Sequence, residues 1–164
     1  MTGSAGVPSV VPPAGVTLRR AEAADSAAVA EVWIASFGQA LPAVRRAHDD
    51  EDVRRWVATY LVPRTEVWVA TVDDEVVAMM ALAPGWIEQL YVLPGRQGLG
   101  IGTALVHLAQ QRCADEGWES LQLWTFQVNV PARNFYVGQG FHDVELTDGA
   151  TNEEREPDVR MLWP

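Results

Sequence analysis

The chain has 164 residues, 48% hydrophobic and 21% charged, with 22 acidic against 12 basic side chains and a formal net charge of −10. That length builds one domain with a sizeable core, and the acidic balance argues against nucleic acid as the main partner, while it suits cationic small molecules or basic peptides as well as plain solubility. No apolar run reaches the roughly 18–20 residues of a membrane span, the first residues lack the basic and long apolar regions of a secretory signal, and His48, His107 and His142 are too scattered for a metal site.

Residues 1–15 are rich in Gly, Pro, Ser and Val and read as a flexible tail; residues 16–164 read as a single domain. Val16–Arg20 reads as a first strand. Asp25 or Ser26 can cap a helix whose Val29, Val32, Trp33 and Phe37 share one face. A second helix carries Val53, Trp56, Val57, Tyr60 and Leu61 on one face, and Asp49 to Asp52 crowd its start. There they read as helix caps that complement the dipole, in preference to a substrate-binding role. Val67–Val72 and Val76–Leu82 are β-rich runs joined at Asp73-Asp74, a hairpin.

Trp86–Leu93 is a further strand. From Gly100 a helix runs to about Glu116 and stops at Gly117, with Ile101, Ala104, Leu105 and Leu108 as its apolar stripe. Arg112 falls near that stripe and is expected to carry its charged end to solvent. Cys113, at the edge of the stripe, is the only cysteine. It excludes an intramolecular disulfide, reads as structural, and points to a reducing, cytoplasmic setting. Leu121–Phe126 is a strand, Pro131–Val137 a short helix, and Phe141–Leu146 and Val159–Trp163 are the closing strands. Hairpins followed by a strand–helix–strand unit predict an α/β fold, a central mixed sheet with helices on both faces.

Two segments carry chemistry. The first is Arg96-Gln97-Gly98-Leu99-Gly100-Ile101-Gly102, set between an apolar strand and a helix. A helix N-terminus leaves amides unpaired and carries partial positive charge, and glycines admit a large anion to them. A phosphate or pyrophosphate is the natural ligand; a tight strand-to-helix turn without a ligand is the alternative. The segment is no P-loop, since no Lys-Ser or Lys-Thr follows, and no dinucleotide fingerprint, since Thr103 stands where the third glycine belongs.

The second is Asn129-Val130-Pro131-Ala132-Arg133-Asn134-Phe135-Tyr136-Val137-Gly138-Gln139-Gly140-Phe141. Asn129 can cap a helix and Pro131 suits its first turn. Asn129, Ala132 and Tyr136 share one face, Phe135 points elsewhere, and Gly140 can end the helix in a left-handed turn. By itself Tyr136 also reads as a packed core aromatic.

Gln97-x-x-Gly100-x-Gly102 resembles the Q/R-x-x-G-x-G/A signature of the GNAT superfamily, the acyl-CoA-dependent N-acetyltransferases. Leu90-Tyr91-Val92-x-Pro94 resembles the strand before that signature, and the second segment resembles the family's late N-x-x-A-x-x-F-Y-x-x-x-G-F pattern at every fixed position. Together the matches span Leu90–Phe141. The resemblance implies a GNAT-like fold with acetyl-CoA held in a V-shaped opening between the fourth and fifth strands. It puts the loop Gln97, Gly98, Leu99, Gly100, Ile101, Gly102 and Thr103 around the pyrophosphate. It pairs the backbone of Leu90, Tyr91 and Val92 with the pantetheine arm, brings Asn129 and Ala132 to that arm, and stands Tyr136 near the sulfur as the acid that protonates the leaving thiolate.

The implied reaction is direct acetyl transfer to a primary amine of a small molecule or peptide. A protonated amine is not nucleophilic, so a base is needed, and a strand amide near Tyr91 or Val92 would receive the developing oxyanion. Glu88 is a candidate base. By strand alternation it shares a face with Leu90 and Val92, opposite Tyr91; a solvated strand glutamate is the other reading. The long acidic segment Thr147–Asp158 either caps the acceptor pocket and attracts a cation or is a solvated connection. The competing function is a non-catalytic acyl-CoA sensor. Homodimers are frequent in the family.

Overall fold

The computed structural model describes residues 6–164. Of the segment read as a tail, residues 1–5 lie outside the described residues. Residues 6–15 form neither helix nor strand, and Val16 donates its N–H to the Pro13 carbonyl (3.0 Å).

Seven strands form one sheet: β1 (Val16–Arg20), β2 (Glu66–Val72), β3 (Glu75–Ala83), β4 (Trp86–Val92), β5 (Leu121–Phe126), β6 (His142–Leu146) and β7 (Asp158–Trp163). Their order is β1-β2-β3-β4-β5-β7-β6. The β4–β5 pair is parallel and the others are antiparallel. The β2–β3 turn is made by Asp73 (φ 49°) and Asp74 (φ 63°), two consecutive left-handed residues, as a two-residue hairpin with matching twist requires.

The helices are α1 (Ser26–Ala40), α2 (Asp50–Trp56), α3 (Val62–Arg64), α4 (Ile101–Glu116) and α5 (Val130–Gly138). A π-helical turn, Val57–Leu61, joins α2 to α3. Pro63 has no N–H to return to the preceding turn and its ring crowds the carbonyl four residues back, so the helix widens to pass it. Asp49 caps α2 by accepting the Asp52 N–H (2.8 Å).

Strand alternation sorts the core into two layers. Val67, Val69, Met79 and Ala81 face α1 and the α2–α3 unit, packing with Val29, Val32, Val57 and Leu61. Ala78, Met80, Leu82, Leu121, Leu123 and Met161 face the other way, packing with Ile101, Leu105 and Ala109 of α4, Tyr136 of α5 and Phe141 just after it. Helices therefore cover both faces of a mixed sheet, as the element order predicts.

Three local expectations need correction. The Asp25 side chain does not cap α1. It accepts both Arg19 guanidinium nitrogens (2.8 and 2.9 Å) and the Glu22 N–H (2.7 Å), holding the turn before the helix. Arg112 does not simply reach solvent: its guanidinium forks onto Glu66 (2.7 and 3.1 Å) and also holds Glu116 (2.9 Å). Third, β4 does not alternate throughout. Gln89 pairs with Ala81 but Ile87 with Leu82, so Glu88 is an extra residue, a bulge. The bulge puts Ile87, not Glu88, in the same core layer as Leu90 and Val92.

Candidate functional site

The sheet comes apart where its one parallel pair lies. β4 and β5 share a single register pair, Trp86↔Gln122, with Gln122 donating its N–H to the Gly85 carbonyl (2.8 Å); beyond it the strands diverge. On the α1 side an aromatic group fills the gap at its base. Trp33 lies 5.8 Å from Tyr91 of β4 and 5.1 Å from Phe37, and Phe37 lies 6.4 Å from Phe126 of β5. Trp33 also donates its indole N–H to Gln89 Oε1 (3.0 Å), anchoring α1 to the β4 wall.

Above this base lies a cavity of about 520 Å³. One wall is β4 from Ile87 to Tyr91, and the opposite wall is the carboxyl end of β5, Trp124 to Phe126. Asn129, Ala132 and Tyr136 of α5 and Glu154 and Asp158 of the β6–β7 segment complete it. Of the residues singled out by sequence, Glu88, Leu90, Tyr91, Asn129, Ala132 and Tyr136 meet here.

The Asn129–Ala132–Tyr136 face forms as capping rules dictate. The Asn129 side chain accepts the Ala132 N–H (3.3 Å), Pro131 occupies the first turn, and Gly140 (φ 93°) ends the helix. The Tyr136 ring is 7% exposed and stacks edge-on with Phe135 (5.2 Å) and Phe141 (5.6 Å). Its hydroxyl, at the cavity wall, finds no hydrogen-bond partner among the described residues. Burial, and secondarily the nearby Tyr91, pushes its pKa well above the ordinary 10. Burial and the charge of Glu154 push Tyr91 up in the same way.

Val92 and the loop Gln97–Thr103 stand outside the cavity lining. The Val92 carbonyl accepts the Ser36 hydroxyl (2.9 Å) and the Gln97 amide (3.1 Å), and Gln97 reaches Gln39 as well (3.1 Å). Gly98 (φ 74°) and Gly100 (φ 88°) are left-handed, and Gly100 stands at the N-terminus of the sixteen-residue α4. Ahead of Ala104, whose N–H bonds the Gly100 carbonyl (3.1 Å), the first α4 amides have no intrahelical partner, a setting suited to an anion. A side chain at Gly98 would meet nothing, whereas one at Gly100 would touch Pro13 (3.3 Å). Leu99 is exposed, and the Ile101 side chain is buried in the core, so only its backbone is available to a ligand.

Gly102 answers to a different constraint. A Cβ there would come within 3.3 Å of the Phe135 ring. Gln139 donates to Thr103 Oγ1 (3.2 Å), and the buried Gln110 donates to the Gln139 carbonyl (3.1 Å). The glycine loop and the α5 motif are thus locked to each other through packing.

The sequence reading put the opening between the fourth and fifth strands but named no residue of the β5 wall, Trp124 to Phe126. The usable signal was position: ligands in open sheets gather at the carboxyl ends of parallel strands, at the point where strand order reverses. Among the described residues no group of His, Cys, Asp and Glu is placed to hold a metal, and no helix is long and apolar enough to cross a membrane.

Comparison with known proteins agrees with this geometry. The model of the acetyltransferase (GNAT) family matches residues 28–141. The peptidyl-lysine N-acetyltransferase YiaC of Escherichia coli is 30% identical over 149 residues, 90% of this chain and 96% of that protein. An uncharacterized N-acetyltransferase of Archaeoglobus fulgidus is 28% identical, over 74% of this chain and 90% of that one. Among solved structures, a GCN5-related N-acetyltransferase from Rhodopseudomonas palustris superposes with a TM-score of 0.77 at 21% identity, covering 96% of this chain and 99% of that one. The PaiA N-acetyltransferase of Thermoplasma acidophilum, in complex with coenzyme A, superposes with a TM-score of 0.71 at 18% identity, covering 90% and 98%.

Proposed function

The chain belongs to the GNAT family of acetyltransferases and is an N-acetyltransferase, and from that premise we propose how its own residues carry the transfer from acetyl-CoA to a primary amine. The observation that carries the reading is Tyr136: its ring is buried, its hydroxyl is held protonated, and that hydroxyl opens into a cavity set between diverging strands with no partner among the described residues. A core tyrosine ordinarily finds a partner for its hydroxyl; this one is left for a ligand.

Acetyl-CoA supplies an activated acyl group with a thiolate as leaving group. The amides at the start of α4, around Gly98 and Gly100, hold its pyrophosphate, and the open edge of β4 at Leu90 and Tyr91 pairs with the pantetheine arm as an added strand would. Asn129 spends its side-chain oxygen on the helix cap, which leaves its amide group to donate to that arm. The amine attacks the thioester carbonyl. Glu88, raised out of the strand by the bulge and exposed at the cavity wall, takes the amine proton, directly or through water. A β4 amide stabilises the negative charge on the carbonyl oxygen. Tyr136 donates its proton to the departing sulfur.

The acceptor is a primary amine on a small molecule or a peptide. The similarity to a peptidyl-lysine acetyltransferase supports a lysine side chain in a peptide as the first acceptor to try. The test is thiol release from acetyl-CoA across small amines and blocked lysine peptides, with the product identified by mass. All twelve basic residues of this chain are arginine, so any acetyl-lysine detected has formed on the acceptor. Absence of amine-dependent thiol release across the panel would refute this reading and favour a non-catalytic acyl-CoA-binding role.

A further inference from the structure

The catalytic cavity carries an uneven set of charges. Glu88, Glu154 and Asp158 line it, and no Lys, Arg or His does. The phosphates of acetyl-CoA belong at the α4 N-terminus, outside the lining, so these carboxylates face the acceptor side. Of the four acids in the segment Glu153–Asp158, each has a different occupation. Asp158 is spent inside the loop: Thr147 Oγ1 donates to one of its oxygens and Asn152 Nδ2 to the other (3.2 Å). Glu153 points away from the cavity, 70% exposed, and meets His48 (3.2 Å). Glu156 does not line the cavity; its backbone N–H and carbonyl are bound by Asn152 (3.2 and 2.6 Å).

Glu154 alone combines the needed properties. It is half-buried, lines the cavity together with Tyr91 and Tyr136, and has no hydrogen-bond or ion-pair partner among the described residues. Its position is held firmly. Asn152 ties the loop to Glu156 and Asp158, Arg155 donates back to the Ala150 carbonyl (2.9 Å), and Gly149 (φ 80°) leaves no room for a side chain against the Glu156 backbone. An unpaired carboxylate beside two tyrosines, in a cavity without a cation, is free to take a positively charged partner.

We propose that Glu154 is the acceptor-specificity residue of this enzyme, holding the cationic nitrogen of the amine substrate within the cavity so that acceptors arrive as ammonium ions and neutral nucleophiles are disfavoured. The proposal rests on the acetyl-transfer reading above and deepens it. Glu88 on the β4 wall takes the proton; Glu154 on the β6–β7 wall holds the ammonium before that proton is lost.

The experiment uses the full-length enzyme with acetyl-CoA and two acceptors, a blocked lysine peptide and n-butylamine. The trimethyllysine form of the peptide serves as an unreactive competitor, cationic but without a proton to lose. In Glu154→Gln the acceptor KM should rise roughly 10- to 100-fold, the loss of a charge-assisted bond. The Ki of the trimethyllysine peptide should also rise, by a smaller factor because its nitrogen keeps the charge attraction but has no N–H to donate, while the acetyl-CoA KM and the melting temperature stay at wild-type values. Glu154→Asp should recover part of the loss, and Glu153→Gln, altering a carboxylate outside the cavity, should stay within about twofold. Wild-type KM and Ki in Glu154→Gln would overturn the proposal. So would equal effects in Glu153→Gln, which would make the charge a diffuse field, and so would a fall in kcat alone, which would make Glu154 a base. Absence of thiol release by the wild-type enzyme with any amine would instead strike the acetyl-transfer reading itself.

Discussion

Tyr136→Phe separates a chemical role from a packing role more cleanly than any other single change. The hydroxyl it removes bonds to nothing among the described residues, and the ring contacts with Phe135 at 5.2 Å and Phe141 at 5.6 Å remain. The stability change should therefore stay within about 0.5 kcal/mol, a shift in melting temperature of roughly 1–2 °C for a domain of this size. The proton donor, by contrast, is gone. General acid catalysis contributes on the order of 10²–10⁴-fold, so kcat should fall by that factor, about 2.7–5.5 kcal/mol in barrier. Affinity for acetyl-CoA should barely move, because the pyrophosphate and the arm are held elsewhere. The pH profile adds an independent check. Burial lifts the Tyr136 pKa above its ordinary 10, so the hydroxyl keeps the proton it must donate, and kcat/KM should show no alkaline fall up to about pH 10. Stopped-flow thiol release measures the rate, and calorimetry measures cofactor affinity. A kcat within about threefold of wild type under conditions where chemistry limits the rate would return Tyr136 to a core aromatic. A matching loss of affinity would assign it to binding.

Three further changes test the surroundings of the site. Gly100→Glu forces a side chain into a left-handed position at φ 88°, against Pro13 and with negative charge at the α4 N-terminus; calorimetry should show acetyl-CoA affinity reduced by about tenfold or more in a folded protein, and unchanged affinity would dismiss the loop as the anion site. Gly102→Val should destabilise by about 1–3 kcal/mol through collision with Phe135, and the cost should shrink when Phe135→Leu is added; additive costs in denaturant melts would refute the packing account. Glu66 is buried enough to raise its pKa, but the Arg112 guanidinium and the Trp68 N–H outweigh that and hold it below the ordinary 4.5. Glu66→Gln should therefore cost about 1–3 kcal/mol near neutral pH. Because a lowered carboxylate pKa stabilises above the unfolded value and is lost as pH falls through the folded one, the gap between wild type and variant should close below about pH 4, and a gap independent of pH would refute the ion pair as its source.

Strand and helix order was readable because each element carried its own periodicity and punctuation. Asp73-Asp74, Gly117 and Gly140 mark turns through backbone conformations that few other residues adopt, and Asn129 with Pro131 marks a helix start through hydrogen-bond arithmetic. The α5 face was readable for the same reason: helical spacing alone brings Asn129, Ala132 and Tyr136 together. What stayed hidden depends on long-range pairing. The bulge at Glu88 arises from the register of β4 against β3, and no local pattern announces it, so simple alternation cannot assign a side to that glutamate. Arg112 on α4 finds Glu66 on β2 across 46 positions, and a helix pattern says nothing of a partner so far away. A second reason for glycine at 102, the Phe135 ring that a Cβ there would meet, lies 33 residues on and shows in no local pattern.

The site itself follows from an unfinished sheet. Every backbone N–H and C=O must find a partner or water. β3 satisfies one side of β4 and β7 one side of β5, but the two strands pair with each other only at Trp86↔Gln122. Their facing edges beyond that point have no strand between them, and the aromatic group of Trp33, Phe37, Tyr91 and Phe126 closes the gap at its base. At the far end of β4, Ser36 and Gln97 cap the Val92 carbonyl, so the open stretch is confined to the residues beside the cavity. An extended, amide-bearing ligand completes such an edge at low cost, because the protein holds the geometry in advance. The glycine turn stands at the end of that stretch, where the proposed reading puts the phosphate-bearing tail, and Tyr136 stands across the cleft. The locking of Gly102 to Phe135 fixes the distance between those two ends. On the proposed reading the fold measures one ligand length, from anion to thioester, and leaves the remaining carboxylate-lined space for the amine.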